Sequence, residues 1–298
     1  MKRLTPTVYL AVIGLLLLTA IIWYANSYIT GAARPSFDGQ RALEDVKQQA
    51  AFGPRTPGSA GHAALRNWLA AELDSAGWIV EERQARQLGH QVYNVVASRD
   101  RELPQIILGA HYDTRLIADQ DPVVNRRSQP VPGANDGASG VAVLLGLARS
   151  LPEDAVPVWL VFFDAEDNGG IEDWDWILGS SAFVQSLSGP PTVAVIVDMV
   201  GDKDQQIYFE RNSDPHFRAE IWDVAASMGH GDVFIAREKY AMLDDHTPFL
   251  TTGIPAVDII DFDYPYWHTT MDTPDKVSAE SLQTVGETLS SWIASMAR

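Results

Sequence analysis

A cluster of acidic residues follows an apolar segment near the middle of the chain. Val156–Phe163 is typical of a buried strand, and Asp164, Glu166 and Asp167 come directly after it. Like charges repel, and burial raises the cost of keeping carboxylates ionised, so we expect a cation to offset them. The alternative is an acidic, solvated turn, and the rest of the chain has to distinguish the two.

Ligand-type residues recur in other segments, mostly just after apolar runs. They are His111, Asp113, Asp136, Asp198 and His268. In an open α/β sheet, functional residues gather beyond the carboxyl ends of the strands, and imidazole and carboxylate groups gathered there suit a zinc or two-zinc site. Taken singly, each has another explanation. A lone histidine is often structural, Asp136 could cap the next helix, and Asp198 could be a turn residue.

Two pairs of adjacent acids suggest a division of roles. Neighbouring residues that leave a strand point in different directions, so one of Glu166 and Asp167 can bind the ion while the other transfers protons. Asp244 and Asp245 form the second pair. They either extend the proton network of the site or begin a helix, with Asp245 as the cap and Pro248 in the first turn.

The order of the elements predicts an α/β fold. Apolar strands at Val156–Phe163 and Thr192–Val197 alternate with helices such as Gly137–Ser150 and Ser278–Met296. This alternation predicts a three-layer α/β/α domain with a mixed, mostly parallel central sheet. We expect residues 31–298 to form one catalytic domain, preceded by a separate segment at residues 1–30.

The amino-acid composition limits the classes of binding partner and of chemistry. The chain has 298 residues, 46% of them hydrophobic, and a formal net charge of −17, which is a globular profile that argues against nucleic acid as a partner. A peptide with a free, positively charged N-terminus is compatible with this acidity. The chain contains no cysteine, which excludes disulfides, thiolate ligands, a cysteine nucleophile and a lipoprotein anchor.

The N-terminus predicts one transmembrane helix. Lys2 and Arg3 precede an uncharged, mostly apolar run from Val8 to Ala25, long enough to span a bilayer, with the N-terminus in the cytoplasm. The predicted protein is a single-pass membrane protein whose catalytic domain lies on the extracytoplasmic side, at the cell surface or in the periplasm. The alternative is a signal peptide cleaved near Gly31–Ala33, which gives a secreted protein.

The ligand-type residues resemble, in order and context, the zinc-dependent aminopeptidase superfamily with co-catalytic metals. The resemblance implies metal binding by His111, Asp136, Asp167, Asp198 and His268. It also implies that Glu166 transfers protons and that Asp113 orients His111. One zinc ion is expected and two are allowed.

Within that superfamily, four segments resemble the glutaminyl cyclases. They are Arg55–Ser59, Phe162–Glu166, Asp244–Leu250 and Trp267–Thr269. The resemblance implies conversion of an N-terminal Gln to pyroglutamate with release of ammonia, on zinc held by Asp136, Asp167 and His268. The chain departs from the cyclases at Asp167, where they usually have Glu, and the segment around Asp136 looks more like an aminopeptidase.

In the cyclase interpretation, Glu166, Asp244 and Asp198 share the proton network. Asp245 supports it, and Trp267 and Tyr264 wall the pocket unless they only pack in the core. The first alternative is a two-zinc aminopeptidase, in which Glu166 is the base for attack on the peptide carbonyl. A second alternative is an anchored, non-catalytic ectodomain that binds peptides.

Overall fold

The structure is a computed structural model that describes residues 36–100 and 102–296. The described residues from Phe37 onward form one compact unit. Within the described ranges, no helix has the length and apolar character needed to cross a bilayer. The predicted transmembrane helix at Val8–Ala25 lies outside the described residues.

A six-stranded sheet forms the centre of the domain. Within the described residues, the strands in chain order are β1 Ile79–Gln87, β2 His90–Ser98, β3 Ile106–His111, β4 Val158–Phe163, β5 Val193–Asp198, β6 Ile207–Phe209, β7 Phe234–Glu238 and β8 Ala256–Ile260. The central sheet has the order β1-β2-β4-β3-β5-β8. Strands β4, β3, β5 and β8 are parallel, whereas β2 pairs antiparallel with β1 and β4. The predicted mixed, mostly parallel sheet is confirmed.

Helices cover both faces of this sheet. They are α1 Gly39–Ala51, α2 Ala60–Ser75, α3 Ala138–Ser150, α4 Leu178–Gln185, α5 Pro215–Ser227, α6 Thr247–Thr251 and α7 Ala279–Met296. Helices α1, α2, α3, α5 and α7 contribute to the larger apolar core. Helices α4 and α6 pack on the opposite face, where Phe183 and Phe249 contact Phe163 of β4. Because β3, β4 and β5 are buried on both faces, their sequences are continuously apolar rather than alternating.

The ends of two helices do not follow the capping alternatives for Asp136 and Asp245. Helix α3 begins at Ala138 after Gly137, with no side-chain cap, so Asp136 does not cap it. Helix α6 begins at Thr247, and the residue before it is His246 rather than Asp245. Both aspartates are therefore available for other contacts.

Candidate metal centre and active site

The parallel strands bring the predicted residues to one edge of the sheet. His111 ends β3, opposite Phe163 at the end of β4, and Asp198 ends the neighbouring strand β5. Glu166 and Asp167 follow β4 by three and four residues. Parallel strands in register end at the same level, so these side chains emerge together.

His111, Asp136 and Asp198 form the first cluster. His111 Nε2 lies 3.0 Å from Asp136 Oδ1 and 3.2 Å from Asp198 Oδ1. Donor atoms of the three lie within 4.8 Å of one another, and all three residues are buried. This arrangement is suitable for one metal ion.

Asp136, Asp167 and His268 form the second cluster. His268 Nε2 lies 2.7 Å from Asp167 Oδ1 and 3.8 Å from Asp136 Oδ2. This cluster also fits within 4.8 Å. The two oxygens of Asp136 therefore face two different histidines, so Asp136 could contribute one oxygen to each cluster.

Asp113 fixes the loop that carries Glu166 and Asp167. Its carboxylate accepts hydrogen bonds from the Glu166 amide at 3.0 Å, the Asp167 amide at 3.4 Å and the Asn168 side chain at 3.1 Å. The same carboxylate lies 3.6 Å from His111 Nδ1. Asp113 thus contacts both the first cluster and the loop after β4.

Gly137 allows the Asp136 turn to approach His111. A Cβ atom at position 137 would lie 2.4 Å from His111 Nε2, which is an impossible contact. Behind the turn, the buried Asp272 accepts hydrogen bonds from the Asn135 amide at 2.8 Å, the Asp136 amide at 3.2 Å and the Tyr264 hydroxyl at 2.7 Å. The position of Asp136 is therefore set by backbone hydrogen bonds as well as by its side chain.

A cavity of about 220 Å³ opens beside the clusters. Its described lining residues are Asp136, Glu166, Asp167, Trp176, Asp198, Met199, Met242, Leu243, Asp244, Ile260, Phe262, Trp267 and His268. The acids form one side, and apolar and aromatic side chains form the remainder. Trp267 is among them, whereas Tyr264 and Asp245 are not. Tyr264 is instead buried against Asp272, and Asp245 is buried behind the lining residue Asp244.

Burial shifts the proton affinities of the cavity acids. It raises the pKa of Glu166 well above its ordinary value, and the charges of Asp167, Asp244 and Asp245 raise it further against the opposing effect of His111. Burial likewise raises the pKa of Asp198 to about 7. A raised pKa makes a carboxyl group a stronger proton acceptor, which suits a role in proton transfer.

The charges and unpaired oxygen atoms of the second cluster indicate whether a metal ion fits there. Burial raises the pKa of Asp167 to about 6, and it opposes charging of His268, yet the neighbouring Asp167 and Asp119 outweigh it and raise the pKa of His268 to about 9. Among the described residues, the buried oxygens Asp136 Oδ2 and Asp167 Oδ2 have no hydrogen-bond partner. Unpaired buried oxygens are costly, and a divalent cation would satisfy them and neutralise the acids. The donor set fits zinc.

Sequence reasoning missed three residues around His268. Arg115 donates to the carbonyl oxygen of Asp167 at 2.8 Å and pairs with Asp119 at 2.8 Å. Asp119 lies 3.5 Å from His268 Nδ1, and the Trp176 ring stacks on His268 and lies over the Arg115 guanidinium. The available signal was an Arg two residues after Asp113 with an acid four residues later.

A mostly parallel sheet with two His/Asp clusters beside the carboxyl ends of its strands defines a metal-dependent α/β enzyme. The chain matches the model described as Peptidase family M28 over residues 94–293. It therefore belongs to that family.

Solved structures and curated relatives are similar to this chain. The glutaminyl cyclase of Porphyromonas gingivalis is 34% identical with a TM-score of 0.82, covering 87% of this chain and 99% of that one. A Zn-dependent exopeptidase from Parabacteroides distasonis is 31% identical with a TM-score of 0.82, covering 88% and 99%. The glutaminyl-peptide cyclotransferase of Boiga irregularis is 24% identical in an alignment of length 288 that covers 80% of this chain and 76% of the relative. The expected relationship to the cyclases within a zinc-dependent enzyme family is confirmed.

Proposed function

We propose that this protein is a zinc-dependent glutaminyl-peptide cyclotransferase that converts the N-terminal Gln of peptides into pyroglutamate and releases ammonia. The observation that carries the proposal is Glu166. Its buried carboxyl group lines the cavity together with the proposed ligand Asp167 and the acids Asp198 and Asp244. The relatives named glutaminyl cyclase support the same activity.

Asp136, Asp167 and His268 would hold the zinc ion of the cyclase. Zinc bound there supplies a Lewis acid that polarises the side-chain amide carbonyl of the substrate Gln. Asp113, Asp272 and the Arg115–Asp119 pair hold these ligands and their loops in place.

Proton transfer is the role of the chain's own acids. The α-amine nitrogen forms a bond to the side-chain amide carbon, the bond from that carbon to the amide nitrogen breaks, and one proton moves from the first nitrogen to the second. Glu166 accepts this proton and returns it, so that ammonia leaves and the enzyme is regenerated. Asp244 and Asp198 stabilise the nitrogen atoms during the transfer. Trp267 and Trp176 enclose the substrate side chain.

Ammonia release from short Gln-peptides tests the proposal. The zinc-loaded protein is expected to release ammonia, and Glu166→Gln, which keeps the shape but cannot accept the proton, is expected to lose most of the rate. Glu44→Gln, on the exposed surface of α1, is the matched control. Equal ammonia release by wild type and Glu166→Gln would contradict the assignment.

A two-zinc aminopeptidase is the second candidate, favoured by the position of Asp136. Its two oxygens face His111 and His268 separately, and all five ligand-type residues are brought together. In that reaction, a hydroxide would attack the first peptide carbonyl, and Glu166 would serve as the base. Two zinc ions per chain with cleavage of amino-acid amides would favour this candidate, whereas one ion with ammonia release from Gln favours the cyclase.

We also propose that residues 1–30 anchor the enzyme in a membrane, with residues 31–298 as the catalytic domain on the extracytoplasmic side. The uncharged run from Val8 to Ala25 after Lys2 and Arg3 supports this. Fractionation of cells that express the full chain should place the activity in the membrane, accessible to protease from outside. Activity in the medium, with a new N-terminus near residue 33, would show a cleaved signal peptide instead.

A further inference from the structure

His246 is a completely buried residue that the mechanism above does not use. Its Nε2 lies 3.4 Å from Glu210 Oε2, and its Nδ1 lies 3.6 Å from Asp258 Oδ2. The three side chains have no exposed surface. Among the described residues, neither ring nitrogen has a hydrogen-bond partner. An imidazole enclosed between two carboxyl groups in a protein interior can donate to both when each nitrogen carries a proton.

Glu210 forms the fixed end of this contact. Its carboxylate accepts hydrogen bonds from the amides of Asn212 at 3.0 Å, Met242 at 2.9 Å and Ser213 at 2.7 Å, and from the Ser213 hydroxyl at 2.9 Å. Burial opposes its ionisation, but the nearby His246 and the backbone amides of Asn212 and Met242 outweigh burial and lower the pKa of Glu210 to about 2. Glu210 is thus an ionised group that cannot rotate away.

Asp258 and Asp244 form the other end. An oxygen of each and a nitrogen of His246 all lie within 4.8 Å of one another. Burial, followed by the charge of Asp244, raises the pKa of Asp258 well above its ordinary value. A protonated Asp258 can donate to Asp244. Since Asp244 lines the cavity, neighbouring polar side chains lead from Glu210 in the interior to the cavity.

We propose that His246 is a positioning residue for Asp244. It links the fixed carboxylate of Glu210 to the Asp258–Asp244 pair and so sets where the Asp244 carboxyl group stands in the cavity. The inference rests on the proposed function in one respect, that Asp244 contacts the substrate. The same donors could instead hold a metal ion, and the experiment separates the two.

A double-mutant cycle of His246→Gln and Asp244→Asn tests the link. His246→Gln is expected to lower kcat on the order of tenfold, with zinc content unchanged and a smaller effect on KM. In the Asp244→Asn background, the same change is expected to alter kcat by less than about twofold, because residues that act through one another are not additive. His230→Gln is the matched control. His230 Nε2 lies 2.6 Å from Glu287 Oε1, and neither residue is among those that line the cavity, so the substitution should leave kcat unchanged.

Two results of this kinetic cycle would overturn the inference. Additive losses in the cycle would show that His246 does not act through Asp244. Loss of one metal ion per chain in His246→Gln would show a metal site instead. If His246→Gln fails to fold, Glu210→Gln, which keeps the shape of its side chain, takes its place in the cycle.

A second cycle does not depend on the reaction. Glu210→Gln and His246→Gln are expected to be coupled in thermal unfolding, and independent effects would break the proposed link. If the wild-type protein cleaves amino-acid amides but releases no ammonia from Gln-peptides, the proposed function fails, and the kinetic cycle is run on amides. If neither substrate reacts, the proposed function fails, and the unfolding cycle decides the inference.

Discussion

Substitution of Asp272 should disturb the metal-binding residues without changing a residue that lines the cavity. The residue is fully buried and does not line the cavity among its described residues. One oxygen accepts from the Asn135 amide and the Tyr264 hydroxyl, and the other accepts from the Asp136 amide. Asp136 belongs to both clusters, so a change at Asp272 should reach both.

The size of the effect of Asp272→Asn follows from these bonds. The amide oxygen can keep the contacts with Asn135 and Tyr264, but the amide NH₂ then faces the Asp136 N–H, so one bond is lost and a buried donor is left unpaired. This costs about 1–3 kcal/mol. A loss of about 2 kcal/mol lowers the Tm of a domain of this size by roughly 4–8 °C. Zinc affinity should fall on the order of tenfold as the Asp136 turn shifts.

The assay combines thermal unfolding with zinc competition against a chelator. It is run at about pH 8.5, because burial and the charge of Asp136 raise the pKa of Asp272 to about 7 and the ionised form is the one being replaced. Tyr264→Phe removes one bond and should cost about 1 kcal/mol. Asp45→Asn removes a buried acid that pairs with Arg149 and should lower the Tm without changing zinc affinity. If Asp272→Asn behaves like Asp45→Asn, the proposed support of Asp136 is wrong.

Three further predictions concern the core, pH and the loop beside His268. Gly109→Ala should lower the free energy of unfolding in urea by about 1–3 kcal/mol, because its Cβ would lie 2.4 Å from a phenylalanine ring, whereas Gly231→Ala, with no contact below 3.7 Å, should be neutral. Burial raises the pKa of Asp261 from 3.8 to about 7, so the folded chain keeps a proton that the unfolded chain loses. Wild-type stability should therefore fall relative to Asp261→Asn as pH rises between these values, and a constant difference would contradict this. Arg115→Gln should weaken zinc binding about tenfold, and the exposed Arg126→Gln should not.

The strand-end pattern was the informative part of the sequence. Apolar runs that end in His or Asp could be recognised from the sequence. The parallel strands β3, β4 and β5 are buried on both faces, so polar residues appear only where the strands end. His111, Asp198 and the pair after β4 follow this rule. Their convergence with Asp136 and His268 then depends on loops, whose course no local pattern specified.

Elements with polar surfaces were missed for a physical reason. Strand β1, Ile79–Gln87, lies at the sheet edge with most side chains exposed or half-buried, so it lacks the apolar pattern of a buried strand. Arg115 and Asp119 lie in a loop, and their role depends on contacts with Asp167 and His268, which are distant in sequence. The Asp245 cap, one of two alternatives for the Asp244–Asp245 pair, rested on residue type alone, and helix α6 begins two residues later.

Asp167 is where this chain departs from the cyclases, which usually carry the longer glutamate at this position. Its carboxylate nevertheless lies 2.7 Å from His268 Nε2. The main chain explains this reach, because the Asp167 amide donates to Asp113 at 3.4 Å and its carbonyl oxygen accepts from Arg115 at 2.8 Å. Held from both sides, the loop carries the shorter side chain to the cluster. The loss of one methylene is therefore compatible with metal binding, provided that the Asp113 and Arg115 contacts remain.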